Sequence, residues 1–325
     1  MKKYLFCSFG NIAQREFRIL KKLQLNCLVN VYTHKYEQHR IFDNELSITY
    51  SDNLSEIYNI NNIFYNLNEA LNAEKYDAVF IYTLPPERID VAINVAERGL
   101  NFFVEKPLSN NLDKIYELRD IVEENQLKCA MGFQMRFHPN LLKLKNMVEN
   151  NEFGDLYRIE VHHCNSIYNW TKNRDLKDFY ALKEKNAGGI LFSQIHEVDY
   201  LTWIFGQHYP ISAIYGKWLD IQNSDVEDNI TILSNLELTN VCIPVIMNLN
   251  FLSKTPIRKV TVYGTEKIET FDLMNTVDWN SLFLTEMRAF IDSLDGEWQY
   301  PLAKLDDGIS SLEFVMDIKD RFIKI

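Results

Sequence analysis

At 325 residues, 46% of them hydrophobic and 13% aromatic, the chain is long enough for two cores rather than one. A formal net charge of -11 argues against nucleic acid and anionic membranes, which draw basic surfaces, and 24% charged residues is the level of a soluble globular protein. Five scattered cysteines (Cys7, Cys27, Cys129, Cys164 and Cys242) form no C-x-x-C pair, and three sit in apolar runs, so reduced core thiols in a cytoplasmic protein are expected rather than disulfides or a zinc site.

Residues 1–9 begin with two lysines and turn apolar, but the run is too short for a signal core, and no later stretch reaches bilayer length. Residues 4–9 instead read as a strand stopped by Gly10, and residues 12–23 carry Ile12, Phe17, Leu20 and Leu23 at helical spacing. Strands are expected at 26–32 and 63–65. Residues 77–84 (DAVFIYTL) are almost continuously apolar, as a buried parallel strand should be. Pro85-Pro86 stops that strand and opens a helix over 88–98, ended by Gly99. A strand at 101–104, a helix at 111–125 and a strand at 127–133 complete a pattern of repeated strand–helix units. Short right-handed crossovers of this kind imply a doubly wound parallel sheet.

Beyond residue 140 the texture changes. One amphipathic helix precedes residues 155–164, which alternate like a half-buried strand. Residues 211–271 then offer several longer strands separated by polar turns, which predicts a large, mostly antiparallel sheet. Helices are expected again at 281–294 and 306–321. The fold class is therefore α/β, with a doubly wound domain over residues 1–125 and a second α/β domain over residues 126–325.

Three stretches carry chemistry. Ser8-Phe9-Gly10-Asn11-Ile12-Ala13 lies between the first strand and first helix, where small residues let the backbone approach a pyrophosphate. Ser8 and Ala13 replace the outer glycines of G-x-G-x-x-G, so an ordinary strand–helix turn is the competing reading, and the βαβ context favours the nucleotide. At the end of the second strand, Thr33-His34-Lys35 stands where an acid would bind a ribose 2′-hydroxyl; hydroxyl and cationic groups suit a 2′-phosphate better, which leans toward NADP. Exposed loop residues would look the same.

Glu105-Lys106-Pro107 follows an apolar strand at the carboxyl end of the sheet, and the proline holds Lys106 extended. His196, Asp199 and Tyr200 fall at i, i+3 and i+4 of a helix expected to open at Gly188-Gly189, so one face presents all three. A zinc motif H-E-x-x-H would need histidine where Tyr200 stands. His162-His163-Cys164 is strand-like, so its neighbours point to opposite faces and do not chelate jointly.

With these motifs, with Gly132-Phe133-Gln134-Met135-Arg136-Phe137-His138-Pro139, and with Glu286-Met287 and Asp306-Asp307-Gly308 near the end, the chain resembles the Gfo/Idh/MocA oxidoreductase family over nearly its whole length. The resemblance implies a Rossmann domain followed by an α/β domain whose open sheet mediates oligomerisation, as a homodimer or homotetramer. It also implies hydride transfer between NAD or NADP and a carbinol or ketone carbon of a sugar or cyclitol. Carried over by position, Lys106 would hydrogen-bond the reacting oxygen, His196 would be the general acid/base, and Asp199 would bind substrate hydroxyls. Gln134 and Arg136 would lie near the nicotinamide or the substrate. Ser8, Gly10, Asn11, Ile12, Thr33, His34, Lys35, Thr83, Pro85, Glu105, Lys106 and Gln134 would hold the cofactor. Three departures stand out: Phe192-Ser193-Gln194 where the family frequently has an aspartate before the histidine, Arg88 where a histidine often follows the T-x-P turn, and the eroded glycine fingerprint.

The residues fit hydride chemistry in their own right. Hydride leaves a carbinol only as its hydroxyl proton is removed, and histidine is a base near neutrality. A lysine at the same oxygen stabilises developing alkoxide charge, or acts as the base itself if burial lowers its pKa. The leading expectation is an NAD(P)-dependent oxidoreductase of a sugar or nucleotide-linked sugar, as in surface-polysaccharide or amino-sugar metabolism. Arg136, Lys172, Arg174, Lys183 and Lys185 are available for an anionic group, and Trp170 and Tyr168 for stacking on a ring. Two rivals remain: a cofactor-binding sensor without catalysis, and a lyase or hydrolase that uses the nicotinamide transiently. No metal, nucleic acid or membrane is expected.

Overall fold

The computed structural model describes residues 1–43, 48–170, 176–238, 241–274 and 277–324. In chain order the elements are β1 (Lys2–Cys7), α1 (Asn11–Lys22), β2 (Cys27–Tyr32), β3 (His39–Phe42), β4 (Ile48–Ser51), α2 (Leu54–Tyr58), β5 (Asn62–Phe64), α3 (Leu67–Asn72), β6 (Ala78–Ile81), α4 (Pro85–Ala96), β7 (Phe102–Val104), α5 (Ile115–Glu124) and β8 (Cys129–Met131). Then come α6 (Pro139–Glu149), β9 (Leu156–Cys164), α7 (Ile167–Trp170), α8 (Ile190–Ser193), α9 (His196–Phe205), β10 (His208–Gly216), β11 (Asn229–Leu238), β12 (Val241–Asn250), β13 (Ile257–Gly264), β14 (Ile268–Asp272), α10 (Trp279–Asp295), α11 (Leu305–Lys319) and β15 (Phe322–Lys324).

The chain divides into two compact units, the first made of residues 1–109, 113–134 and 279–306. Its sheet runs β5-β2-β1-β6-β7-β8, parallel throughout. The runs Tyr4–Cys7 and Ala78–Ile81 are wholly buried, which explains why their sequences are apolar without alternation. The chain leaves β1 for β2 on one side and later returns to β6 on the other. The turns after β1 and β6 therefore flank the point where strand order reverses, the place open α/β sheets offer to a ligand.

The division expected at residue 125 needs correction. β8 pairs in parallel with β7, so residues 129–131 belong to the first sheet. α10 belongs there too: Phe290, fully buried, packs edge-on to Phe80 with ring centroids 5.5 Å apart and lies 5.7 Å from Phe103. Truncating such a ring costs about 3–5 kcal/mol, so this helix is part of the first core despite its late position in the chain. The hairpin β3–β4 was not foreseen, because two four-residue strands are too short to show a period.

The second unit, residues 110–112, 135–278 and 307–325, holds a seven-stranded sheet of order β14-β13-β9-β12-β11-β10-β15. It is antiparallel except for the β9–β12 and β10–β15 pairs. One face buries Ile159, Val161, Ile230, Ile232, Met247, Leu249, Val260 and Val262, while Ile214 on β10, Leu233 on β11 and Ile257 on β13 are exposed on the other. Among the described residues no helix is long and apolar enough to cross a membrane.

Candidate active site

In the first unit, β1 is followed by Ser8, whose φ of 75° is the left-handed conformation that glycine enters freely. Ser8 thus makes the turn with a side chain where the nucleotide fingerprint has its first glycine, and its N–H donates to Tyr32 O at 2.7 Å. Gly10 is the N-cap of α1. A Cβ added there would meet nothing within 4 Å, so the backbone is open to close approach. α1 begins without a side-chain cap and without an acid in its first turn, which leaves its N-terminal N–H groups available to an anion. Asn11 Oδ1 and Thr83 Oγ1 are buried without a partner among the described residues. This turn fits a dinucleotide pyrophosphate. Ile12 and Asn11 are half-buried at the same helix start.

Gln14 holds the turn from behind, and it escaped the sequence reading. Its Nε2 donates to Phe9 O at 2.9 Å and Arg40 O at 2.7 Å, while Oε1 accepts from Phe42 N at 2.9 Å and Tyr58 OH at 2.7 Å. The available signal was a polar residue on the buried face of an amphipathic helix. At the end of β2, Thr33 is buried, and His34 and Lys35 are exposed. His34 Nε2 lies 3.7 Å from a Glu87 carboxylate oxygen in the first turn of α4.

Lys106 is half-buried just past β7, and the Lys106–Pro107 peptide is cis. Pro85 is buried at the first position of α4 and Gln134 opens the 3-10 turn Gln134–Phe137 after β8. The Glu105 carboxylate lies against Gly132, where an added Cβ would come within 2.8 Å of Oε2. Burial raises the Glu105 carboxyl above its ordinary value, opposed by Lys106 and Arg88. Glu16 on α1 is buried as well, and burial with the nearby Glu105 charge pushes its carboxyl well up. Arg88, one turn into α4 and 4% exposed, donates from Nε and Nη2 to Thr83 O at 3.1 and 2.6 Å, and from Nη1 to Glu105 O at 2.7 Å and to Pro107 O.

In the second unit the expected helix from Gly188-Gly189 through Tyr200 is two helices. α8 stops at Ser193, Gln194 and Ile195 turn, and His196 opens α9. Glu227 holds the start of α8: its backbone oxygen accepts from Ile190 N at 3.1 Å and its carboxylate from Leu191 N at 3.1 Å. His196, Asp199 and Tyr200 are all buried. Glu197 points to the sheet, where its Oε1 meets His163 Nδ1 on β9 at 2.8 Å and Arg258 Nε on β13 at 2.8 Å. Burial alone would raise this carboxyl, but Arg258 and His163 reverse the sign and hold it at about 2.

Asp199 and Arg136, expected at the substrate, are paired with each other. Arg136 Nη2 donates to Asp199 Oδ1 at 2.6 Å, and Nε lies 3.1 Å from both carboxylate oxygens. Arg136 Nη2 also sits 2.9 Å from Asp307 Oδ1 on α11. Burial lifts the Asp199 carboxyl to about 6 against the pull of Arg136. Burial likewise works against the Arg136 charge, but the two aspartates outweigh it and keep the guanidinium protonated. The side chain of Trp170, together with Lys172 and Arg174, lies outside the described residues; Tyr168 is exposed.

Residues 2–133 match the model of an oxidoreductase family with an NAD-binding Rossmann fold, and residues 145–275 match that family's C-terminal alpha/beta domain. The chain belongs to the Gfo/Idh/MocA oxidoreductase family. Over 202 residues it is 25% identical to the uncharacterized oxidoreductase YrbE of Bacillus subtilis, covering 61% of this chain and 56% of that one. Over 168 residues it is 29% identical to scyllo-inositol 2-dehydrogenase (NAD(+)) of Bacillus subtilis, covering 50% and 46%. The chain spans about half the length of these curated relatives. Scyllo-inositol dehydrogenase from Lactobacillus casei, solved with NAD(H) and scyllo-inositol bound, shares the fold at TM-score 0.81 and 16% identity over 99% of this chain and 97% of that one. Of the Phe192-Ser193-Gln194 stretch before His196, Phe192 and Ser193 are buried at the end of α8 and Gln194 follows it.

Proposed function

We propose that this protein is an NAD-dependent dehydrogenase or reductase acting on the carbinol or ketone carbon of a cyclitol or sugar. Lys106 carries the reading: a half-buried lysine in a braced loop at the carboxyl end of β7, in the unit whose β1–α1 turn is open to a dinucleotide. A bound nicotinamide would accept the hydride from a carbinol or deliver it to a ketone. Lys106 donates to the reacting oxygen and stabilises its developing charge, and His196 accepts or returns the hydroxyl proton. Asp199, committed to Arg136, orients α9 rather than meeting a substrate hydroxyl.

The lean toward NADP at Thr33-His34-Lys35 meets a carboxylate that the sequence did not place. Glu87 beside His34 brings a negative charge to the corner where a 2′-phosphate would sit, and it can accept from ribose hydroxyls, so we read the preference as NAD. The cations expected for a nucleotide-linked sugar find little support: Lys183 Nζ is bonded to Asn223 O, and Lys185 is exposed. Uncharged polyols are therefore the first substrates to test. Exposed Ile214, Leu233 and Ile257 on the open sheet support self-association as a homodimer or homotetramer, and free thiols suit the cytoplasm. Fluorescence titration with NADH and NADPH, followed by a hydride-transfer screen of inositols, sugars and nucleotide sugars, tests the reading. Tight NADH binding with turnover of a polyol is expected; no hydride transfer with any of them would overturn it.

A further inference from the structure

We propose that Arg88 is a positioning residue for Lys106, a clamp that fixes the backbone on both sides of that lysine. The inference rests on the reading of Lys106 given above. Nη1 donates to the carbonyls of Glu105 and Pro107, the residues immediately before and after Lys106. The opposite edge of the same guanidinium, through Nε and Nη2, takes both its bonds to Thr83 O, at the end of the strand that leads into α4. One rigid plane thus ties the turn after β6 to the turn after β7.

The side chain is 4% exposed and sits on α4, whose start is set by Pro85 and Pro86. Its anchor is thus a helix separate in sequence from the turn that carries Lys106. Only a guanidinium offers donors in a fixed fork on two edges; an imidazole has at most two N–H groups, and an ammonium lacks the planar spread to hold three carbonyls at once. The Lys106 amide adds a bond to the Glu105 carboxylate, a further tie on the backbone of this turn.

The test compares wild type with Arg88→Lys and Arg88→Ala by hydrogen–deuterium exchange without cofactor, and by NADH fluorescence titration. The clamp predicts that exchange in 83–87 and 105–109 quickens at least tenfold in Arg88→Ala and by less in Arg88→Lys. Strand β9 should keep its wild-type rate, and NADH affinity should fall about tenfold in Arg88→Ala. Unchanged exchange at 105–109, quickening spread evenly through the unit, or full wild-type protection in Arg88→Lys would each overturn it. Should Arg88→Ala not fold, Arg88→Lys decides by the same local criterion. If wild type itself binds no NADH, the proposed function fails while the exchange data still judge the clamp.

Discussion

Glu197→Gln is the substitution whose effect can be worked most fully from the structure. The carboxyl is wholly buried and held at about 2, against an ordinary 4.5, by Arg258 and His163. A depressed folded-state value means that its stabilisation is present above pH 4.5 and is lost as pH falls toward 2. At 1.36 kcal/mol per pKa unit the drop is worth about 3 kcal/mol at neutral pH, within the 3–5 kcal/mol expected when one partner of a buried pair is removed. Glutamine is a permanent imitation of the protonated acid. At pH 7 the variant should therefore unfold about 6–12 °C below wild type, using roughly 2–4 °C per kcal/mol. Calorimetric scans from pH 7 down to 3 should show the gap narrowing, because wild type loses what the variant never had. A gap under about 1 °C at pH 7, or one that stays constant as pH falls, would refute the reasoning.

Three other outcomes are expected. Gly10→Val should leave the melting temperature within about 1 °C, since its φ of -76° suits any residue and a Cβ there meets nothing within 4 Å. The same change should weaken NADH binding at least tenfold by titration, as the branched side chain blocks the approach of the pyrophosphate. Lys106→Ala should lower kcat by roughly a thousandfold or more at unchanged melting temperature, consistent with loss of an electrostatic donor in the transition state; near-full activity would sink the role. Burial pushes the Glu227 carboxyl up to about 7, so its contribution is complete below pH 4.5 and declines as pH rises through 7. Thermal scans between pH 5 and 8 should show wild type losing up to about 3 kcal/mol relative to Glu227→Gln, whose amide still accepts from Leu191 N.

What could be read beforehand follows the range of the interaction. DAVFIYTL announces β6, and the apolar run before Gly10 announces β1, because burial on both sheet faces leaves a local trace. The turn at Ser8 kept its backbone while losing its glycine, so the fingerprint looked more eroded than the geometry is. Partners distant in sequence left no such trace. Nothing local tells that Arg136 will meet Asp199 63 positions later, or that Arg258 will meet Glu197 across 61. The Glu227 contacts that hold the start of α8 likewise come from a loop more than 30 positions onward.

These pairs bear on how His196 could work without the family's aspartate. The first turn of α9 carries two carboxylates next to the histidine, and both are occupied: Glu197 by Arg258 and His163, Asp199 by Arg136. Buried pairs of this kind are weak sources of net stability, because well-packed apolar replacements are often neutral or better. Their use here is directional: one pair ties α9 to β9 and β13, the other to the turn after β8. Glu197→Gln combined with Arg258→Met separates the two contributions. The double variant removes the uncompensated cation and should recover most of the lost melting temperature. If orientation of His196 is what the network supplies, kcat stays low when stability returns; recovery of both together would make the network purely structural.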